Sequence, residues 1–238
     1  RMREYVMALR AIWRSWETGE KLRFEGEHYT FTLMTPNFIP PSTGQFPVPI
    51  TIAAVGEHSL RLSGEACDGV RLHPFCTRAY LKEVVMARIN EGLDKTGRTR
   101  GSFEVTGGGF IATGETEEEV DKVAEWVRHR IAFYGSTPSY WPVFEHHGCG
   151  DLGRKLNRMT KAGKWDEIAS EIPDDVLHLF AVIAPYGQLE NAIIKRFGGV
   201  VDAIYASTSQ DIRPQVPSDV LQDIARIPTA FNGFKTNW

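Results

Sequence analysis

The chain has 238 residues, 42% hydrophobic and 24% charged, a composition that supports a large buried core in an ordinary globular protein. A formal net charge of −3 with no Lys/Arg stripe argues against a nucleic-acid partner, and no apolar run approaches the ~20 residues of a membrane helix. Three widely spaced cysteines, Cys67, Cys76 and Cys149, point to reduced thiols in a cytoplasmic protein rather than a disulfide framework.

Met2, Tyr5, Val6, Leu9, Ile12, Trp13 and Trp16 recur at helical spacing, so the chain opens within a helix. An α/β domain that begins on a helix leads one to expect a further segment upstream. Residues 18–49 read as an inserted segment. FEGEHYTF alternates like a small hairpin, and prolines at 36, 40, 41, 47 and 49 mark an excursion outside any core repeat. A regular pattern follows, with a strand at Ile50–Val55 and a helix at Glu57–Cys67 that puts Leu60, Gly64 and Cys67 on one face. The next strand is Val70–His73, and the next helix Ala79–Leu93, with Leu81, Val84, Val85 and Ile89 inward. Phe103–Thr113 reads as one long strand interrupted by Gly107-Gly108-Gly109, and Thr116 with Glu119 makes a capping box for the helix carrying Val120, Val123, Val127 and Ile131. Several short helices are expected over Pro138–Leu179, then a helix at Leu189–Phe197, a last strand at Val200–Tyr205 and a helix within the tail Thr208–Trp238. Strand–helix alternation of this kind implies a parallel sheet, and four core strands amount to about half a (β/α)₈ barrel. An open doubly wound sheet fits the same pattern.

Six blocks carry a family resemblance in their order along the chain. They are MREYVMALRAIW, FEGEHYTF, PVPITIAAVGEHSLRLSGEACDGVRLHPF, GETEEEVDKVAEWVRHRIAFY, PSYWPVFEHHG and DDVLHLFAV…GQLENAIIKRFGGVVDAIY. Together they resemble the C-terminal two-thirds of the bacterial-luciferase-like flavin and deazaflavin oxidoreductases, the deazaflavin branch above all. The resemblance implies one luciferase-like domain over 1–238: a TIM barrel lacking its first strands. It also implies a deazaflavin coenzyme or FMN at the carboxyl ends of the strands. The first four strands, which carry the acid/base residues in that family, lie upstream, so no catalytic residue is assigned.

The turn Val55-Gly56-Glu57-His58 is the leading binding candidate. Backbone N–H groups at a helix start lack intrahelical acceptors, and Gly56 permits close approach. With the resemblance, Val55, Gly56, His58 and Ser59 are read as the holders of the cofactor phosphate. The plainer reading is a tight strand–helix turn, and the Glu57 carboxylate opposes an anion unless it turns outward. His73 and Phe75, just beyond the next strand, are read as facing the flavin ring or substrate, against the alternative of a satisfied strand-end histidine. Gly107-Gly108-Gly109 requires a close neighbour, either a ligand or packed protein. The run Glu145-His146-His147-Gly148-Cys149-Gly150-Asp151 resembles a metal cluster, but adjacent helical histidines point ~100° apart, so no metal is expected. The expected activity is hydride transfer or monooxygenation of a small organic substrate by a homodimer. The alternatives are a silent flavin-binding or structural homologue completed by oligomerisation, and a barrel hydrolase.

Overall fold

β-branched and small residues at 50–54 leave a short stretch suited to a covered strand, and the computed structural model places β3 there, at Thr51–Ala54. The structure describes residues 1–42, 47–205 and 216–234. Two short antiparallel strands precede β3: β1 (Phe24–Glu25) and β2 (Thr30–Phe31), with Phe24 opposite Phe31. Helix α1 (Met2–Thr18) ends on a left-handed Gly19. It grips the hairpin through Glu4, whose carboxylate accepts the backbone N–H groups of Glu27, His28 and Tyr29 at 3.1, 2.7 and 3.2 Å.

β3 leads through Gly56 into α2 (Glu57–Ala66), and β4 (Gly69–Leu72) returns parallel to β3 in register Thr51↔Gly69. Asp68, in the connecting turn, is buried. Its Oδ2 accepts the Ile50 amide at 2.8 Å and the Arg10 guanidinium at 2.8 Å, tying α1 to the entrance of β3. A continuous helical segment follows: α3 (Arg78–Tyr80), one π-helical turn at Leu81–Val85, and α4 (Met86–Asp94). Thr77 caps it by accepting the Tyr80 amide at 3.2 Å. α2 and α4 cross at very close range because glycines meet backbone there. A Cβ at Gly64 would lie 2.2 Å from the Ile89 carbonyl oxygen, and one at Gly92 would lie 2.1 Å from that of Arg61.

The strand expected over Phe103–Thr113 is in fact two. β5 (Glu104–Gly107) pairs parallel with β4, whereas β6 (Phe110–Ala112) pairs parallel with β7 (Ala181–Ile183) in a separate two-stranded sheet. The break falls at Gly107 and Gly108, whose φ values of +92° and +91° leave the strand region altogether. Packed protein is the close neighbour of this triplet: a Cβ at Gly109 would meet the Phe197 ring at 2.8 Å, and one at Gly107 the Leu72 carbonyl at 2.6 Å. The strand expected over Val200–Tyr205 is reduced to one parallel bridge, Thr106↔Ala203, since Asp202 and Ala203 both direct their amides to the Val105 carbonyl.

α5 (Glu117–Gly135) shows half of the expected capping box: Thr116 accepts the Glu119 amide, whereas the Glu119 carboxylate accepts the amide of Glu115, one residue before the cap. Short helices α6 (Trp141–His146), α7 (Gly150–Lys161) and α8 (Asp174–Phe180) follow, then α9 (Tyr186–Phe197). In the tail, α10 (Ser218–Ala225) is described, while 208–215 and 235–238 of the expected helix-and-loop segment lie outside the described residues. Buried Arg196 on α9 holds this half together. It donates to the carbonyls of Leu179, Phe180 and Cys76, joining α8 to the loop after β4. The described strands form no closed barrel. Among the described residues no helix is long and apolar enough to cross a membrane.

Candidate functional site

Ala54 and Leu72 end β3 and β4, and the loops that follow them open a cleft of about 110 Å³ at the carboxyl ends of these parallel strands. This is the end at which open and closed parallel sheets bind ligands, because there the loops and helix N-termini converge. Val55, Gly56, His73 and Phe75 line the cleft, together with Glu57, Tyr80, Ser139 and Val143. His58 and Ser59 follow on the first turn of α2 but are not part of that lining.

Gly56 is the N-cap of α2 and no side chain caps the helix. The first intrahelical bond runs from Leu60 to the Gly56 carbonyl, which leaves the Glu57, His58 and Ser59 amides as the orphan donors of the turn. A Cβ at Gly56 would meet nothing within 4 Å, so the space before those amides is open. Glu57 is turned aside: Arg88 Nε lies 3.0 Å from its Oε2. The Ser59 hydroxyl donates to the Gly56 carbonyl at 2.8 Å, so what it can offer an anion is its amide. The turn therefore suits one anionic oxygen cluster such as a phosphate ester. The cleft is small beside the ~300–1,000 Å³ of whole-ligand sites, so it encloses only part of a cofactor.

His73 stands between Tyr134 and Tyr140, ring centroids 4.3 and 4.8 Å away. Its Nδ1 accepts the Phe75 amide at 3.0 Å. Burial holds its pKa below the usual imidazole range, so the ring is neutral at pH 7. Phe75 is only 2% exposed and lies in an aromatic cluster with Phe180, Phe144 and Tyr140 at 4.5, 5.1 and 5.5 Å. It backs the histidine and presents little face to the cleft. Tyr134, Tyr80 and Ser139 were not among the residues picked out from sequence, whereas Tyr140, with Trp141 and Phe144, is read there as a pocket wall or subunit contact. An aromatic excess in GSTPSYWPVF was the available signal, but nothing local ties it to His73, more than sixty positions away.

The histidine run is dispersed by its partners. His147 Nε2 lies 2.7 Å from the Thr77 hydroxyl, whereas His146 Nε2 lies 3.2 Å from Glu83 Oε2. Glu4, Glu27 and His28 place potential ligand atoms within 4.8 Å of one another, yet the Glu4 carboxylate is already taken by three backbone amides, which hold its pKa below the ordinary glutamate value.

Comparison with known proteins bears on this geometry. Residues 1–203 match the family model described as luciferase-like monooxygenase. The chain belongs to that family. Among luciferase-like relatives, the uncharacterised protein Rv1360 of Mycobacterium tuberculosis strain H37Rv is 44% identical over 215 residues, which cover 89% of this chain and 63% of that protein. The 5,10-methylenetetrahydromethanopterin reductase of Archaeoglobus fulgidus is 28% identical over 189 residues, covering 76% of this chain and 52% of the reductase. Among solved structures, the coenzyme F420 dependent tetrahydromethanopterin reductase of Methanopyrus kandleri superposes with a TM-score of 0.68 at 17% identity, over 92% of this chain and 60% of that one. The α/β fold is thus that of the luciferase-like neighbours, and the chain spans between half and two-thirds of the length of these relatives.

Proposed function

We propose that the protein is a luciferase-like oxidoreductase that uses a reduced deazaflavin or FMN on a small organic substrate. When bound, such a cofactor supplies hydride, or in the flavin case oxygen activation. The observation that carries this reading is the uncapped start of α2 opening onto a cleft at the carboxyl ends of β3 and β4, in a chain of this family. The name of the archaeal reductase relative and the F420 dependence of the structural neighbour favour the deazaflavin. In this reading the Glu57, His58 and Ser59 amides hold the phosphate, and Val55 and Gly56 leave room for it. His73 contacts the ring or the substrate, while Phe75 fixes the position of His73. The partial barrel forms one domain, with 18–49 as its inserted segment. Three free cysteines support a reducing, cytoplasmic setting. The reading includes a homodimer as the form that acts.

Substitution of Gly56 by Asp tests the phosphate cradle. The position has an ordinary φ of −82° and open space at Cβ, and Asp is the better N-cap by a few tenths of a kcal/mol. The variant is expected to melt at or slightly above the wild-type temperature. A carboxylate placed against the phosphate is expected to weaken coenzyme F420 or FMN binding roughly tenfold or more, read by fluorescence titration. Equal affinity in wild type and variant, or no binding to either compound, defeats the reading.

A further inference from the structure

The hydrogen bonding of His73 carries an inference about ligand class that rests on the reading above. In a neutral imidazole one ring nitrogen carries the proton and the other accepts. The Phe75 amide points at Nδ1 from 3.0 Å, so Nδ1 is the acceptor and the proton sits on Nε2. Turning the ring over would leave the amide of a nearly fully buried residue without that partner. Tyr134 from α5 and Tyr140 from the adjoining 3₁₀ turn (Pro138–Tyr140) pack against the ring and hold its plane. Among the described residues Nε2 has no hydrogen-bond partner, and the side chain lines the cleft. Burial is the only cause that moves its pKa, so no nearby charge reverses the assignment.

Glu57, the one carboxylate in the lining, is paired with Arg88, and the Tyr80 and Ser139 hydroxyls can each donate or accept, so the His73 ring is the group here whose donor role is fixed. We propose that His73 is a fixed Nε2–H donor that selects a ligand presenting an oxygen acceptor, a carbonyl or an oxyanion, and rejects an ammonium group at that position. The acceptor belongs either to the pyrimidine ring of the cofactor or to the substrate.

The test uses the intact chain and reads His73 directly. Nitrogen-15 correlation spectra of the histidine side chains, assigned with His73→Gln, are expected to give the Nε2–H tautomer at pH 7. Coenzyme F420, FMN, cyclohexanone and cyclohexylamine are then titrated separately, with binding also followed for His73→Phe, which keeps ring volume but lacks the donor. If the cofactor provides the acceptor, His73→Phe lowers cofactor affinity about tenfold, and His73→Gln, which retains an N–H, recovers part of it. If the substrate provides it, cofactor affinity stays unchanged, and cyclohexanone but not cyclohexylamine shifts the Nε2 resonance. An Nδ1–H tautomer, an equal response to ketone and amine, or no response to any of the four overturns the proposal. A cofactor that binds normally, is weakened by Gly56→Asp and is indifferent to His73→Phe, with no ketone response, defeats this inference alone and leaves the proposed function standing.

Discussion

Cys67 and Cys76 illustrate how burial can outweigh nearby charges at single residues. Burial pushes their thiol pKa values to about 11 and about 12, and Cys149, less deeply placed, is raised by the same cause to a smaller extent. A thiol whose folded pKa lies above its unfolded value, near 9, gives stability that is complete below pH 9 and is lost as pH climbs toward the folded value. The histidines work from the other side. His73 and His147 are both depressed by burial, so below about pH 6.5 the unfolded chain takes up protons that the native one refuses. Thermal melts are therefore expected to fall on both the acid and alkaline sides of a neutral plateau. His147→Gln should flatten the acid side between pH 6.5 and 5; an unchanged slope in the variant would refute the assignment. Alkylation with iodoacetamide at pH 8, followed by peptide mass spectrometry, should label Cys149 well before Cys67 or Cys76. Asp68 is the residue whose loss should cost most among the polar groups, because Asp68→Ala strands Arg10 and the Ile50 amide together. A drop of about 3 kcal/mol in urea unfolding is expected, in line with breaking a buried pair from one side.

At the level of elements, the α2–α4 crossing permits a sharper prediction. Gly64→Ala would place a methyl group against a backbone carbonyl that cannot rotate away, so a loss of about 3 kcal/mol is expected, read as a shift of the urea midpoint at constant slope. Gly97→Ala makes a poor control because of its left-handed φ, whereas Gly187→Ala, with open space at Cβ, should be nearly neutral. The regular β-turn-α-turn-β unit from β3 to β4 was legible in sequence because local periodicity and turn residues agree with the tertiary structure there. The reading of 103–113 failed where they conflict. Apolar content runs through Gly107 and Gly108, but two positive φ angles redirect the chain into another sheet. β7 escaped notice because three residues after a helix carry no usable period, and its existence depends on β6, some seventy positions earlier. Val200–Tyr205 has strand composition yet makes only one bridge, since the Asp202 carboxylate accepts the Val105 amide as well as the Arg100 guanidinium. The strand–helix turn at Gly56 was legible for the same local reason as the β3–β4 unit. The packing of Tyr134 and Tyr140 on His73 was not, because those rings come from α5 and the 3₁₀ turn Pro138–Tyr140, more than sixty positions away.

Across the described residues, several large apolar side chains are uncovered. Leu33 is 79% and Phe38 74% exposed, and Met2, Tyr5 and Met7 on α1 and Val48 before β3 are also uncovered. Exposed apolar side chains of this size favour association. Light scattering is expected to give twice the mass of one chain, and the double substitution Leu33→Glu with Phe38→Glu is expected to shift it toward the monomer. A wild-type monomer at micromolar concentration would count against the dimer. The glycine-to-carbonyl weld between α2 and α4 has a mechanical corollary. The amide turn on α2 and the Tyr80–Val85 flank of the cleft ride on a single stiff slab, while the opposing side, Ser139 to Val143, hangs on separate short segments. A shift of α2 against α4 would therefore displace both the amide turn and the Tyr80–Val85 flank of the cleft together.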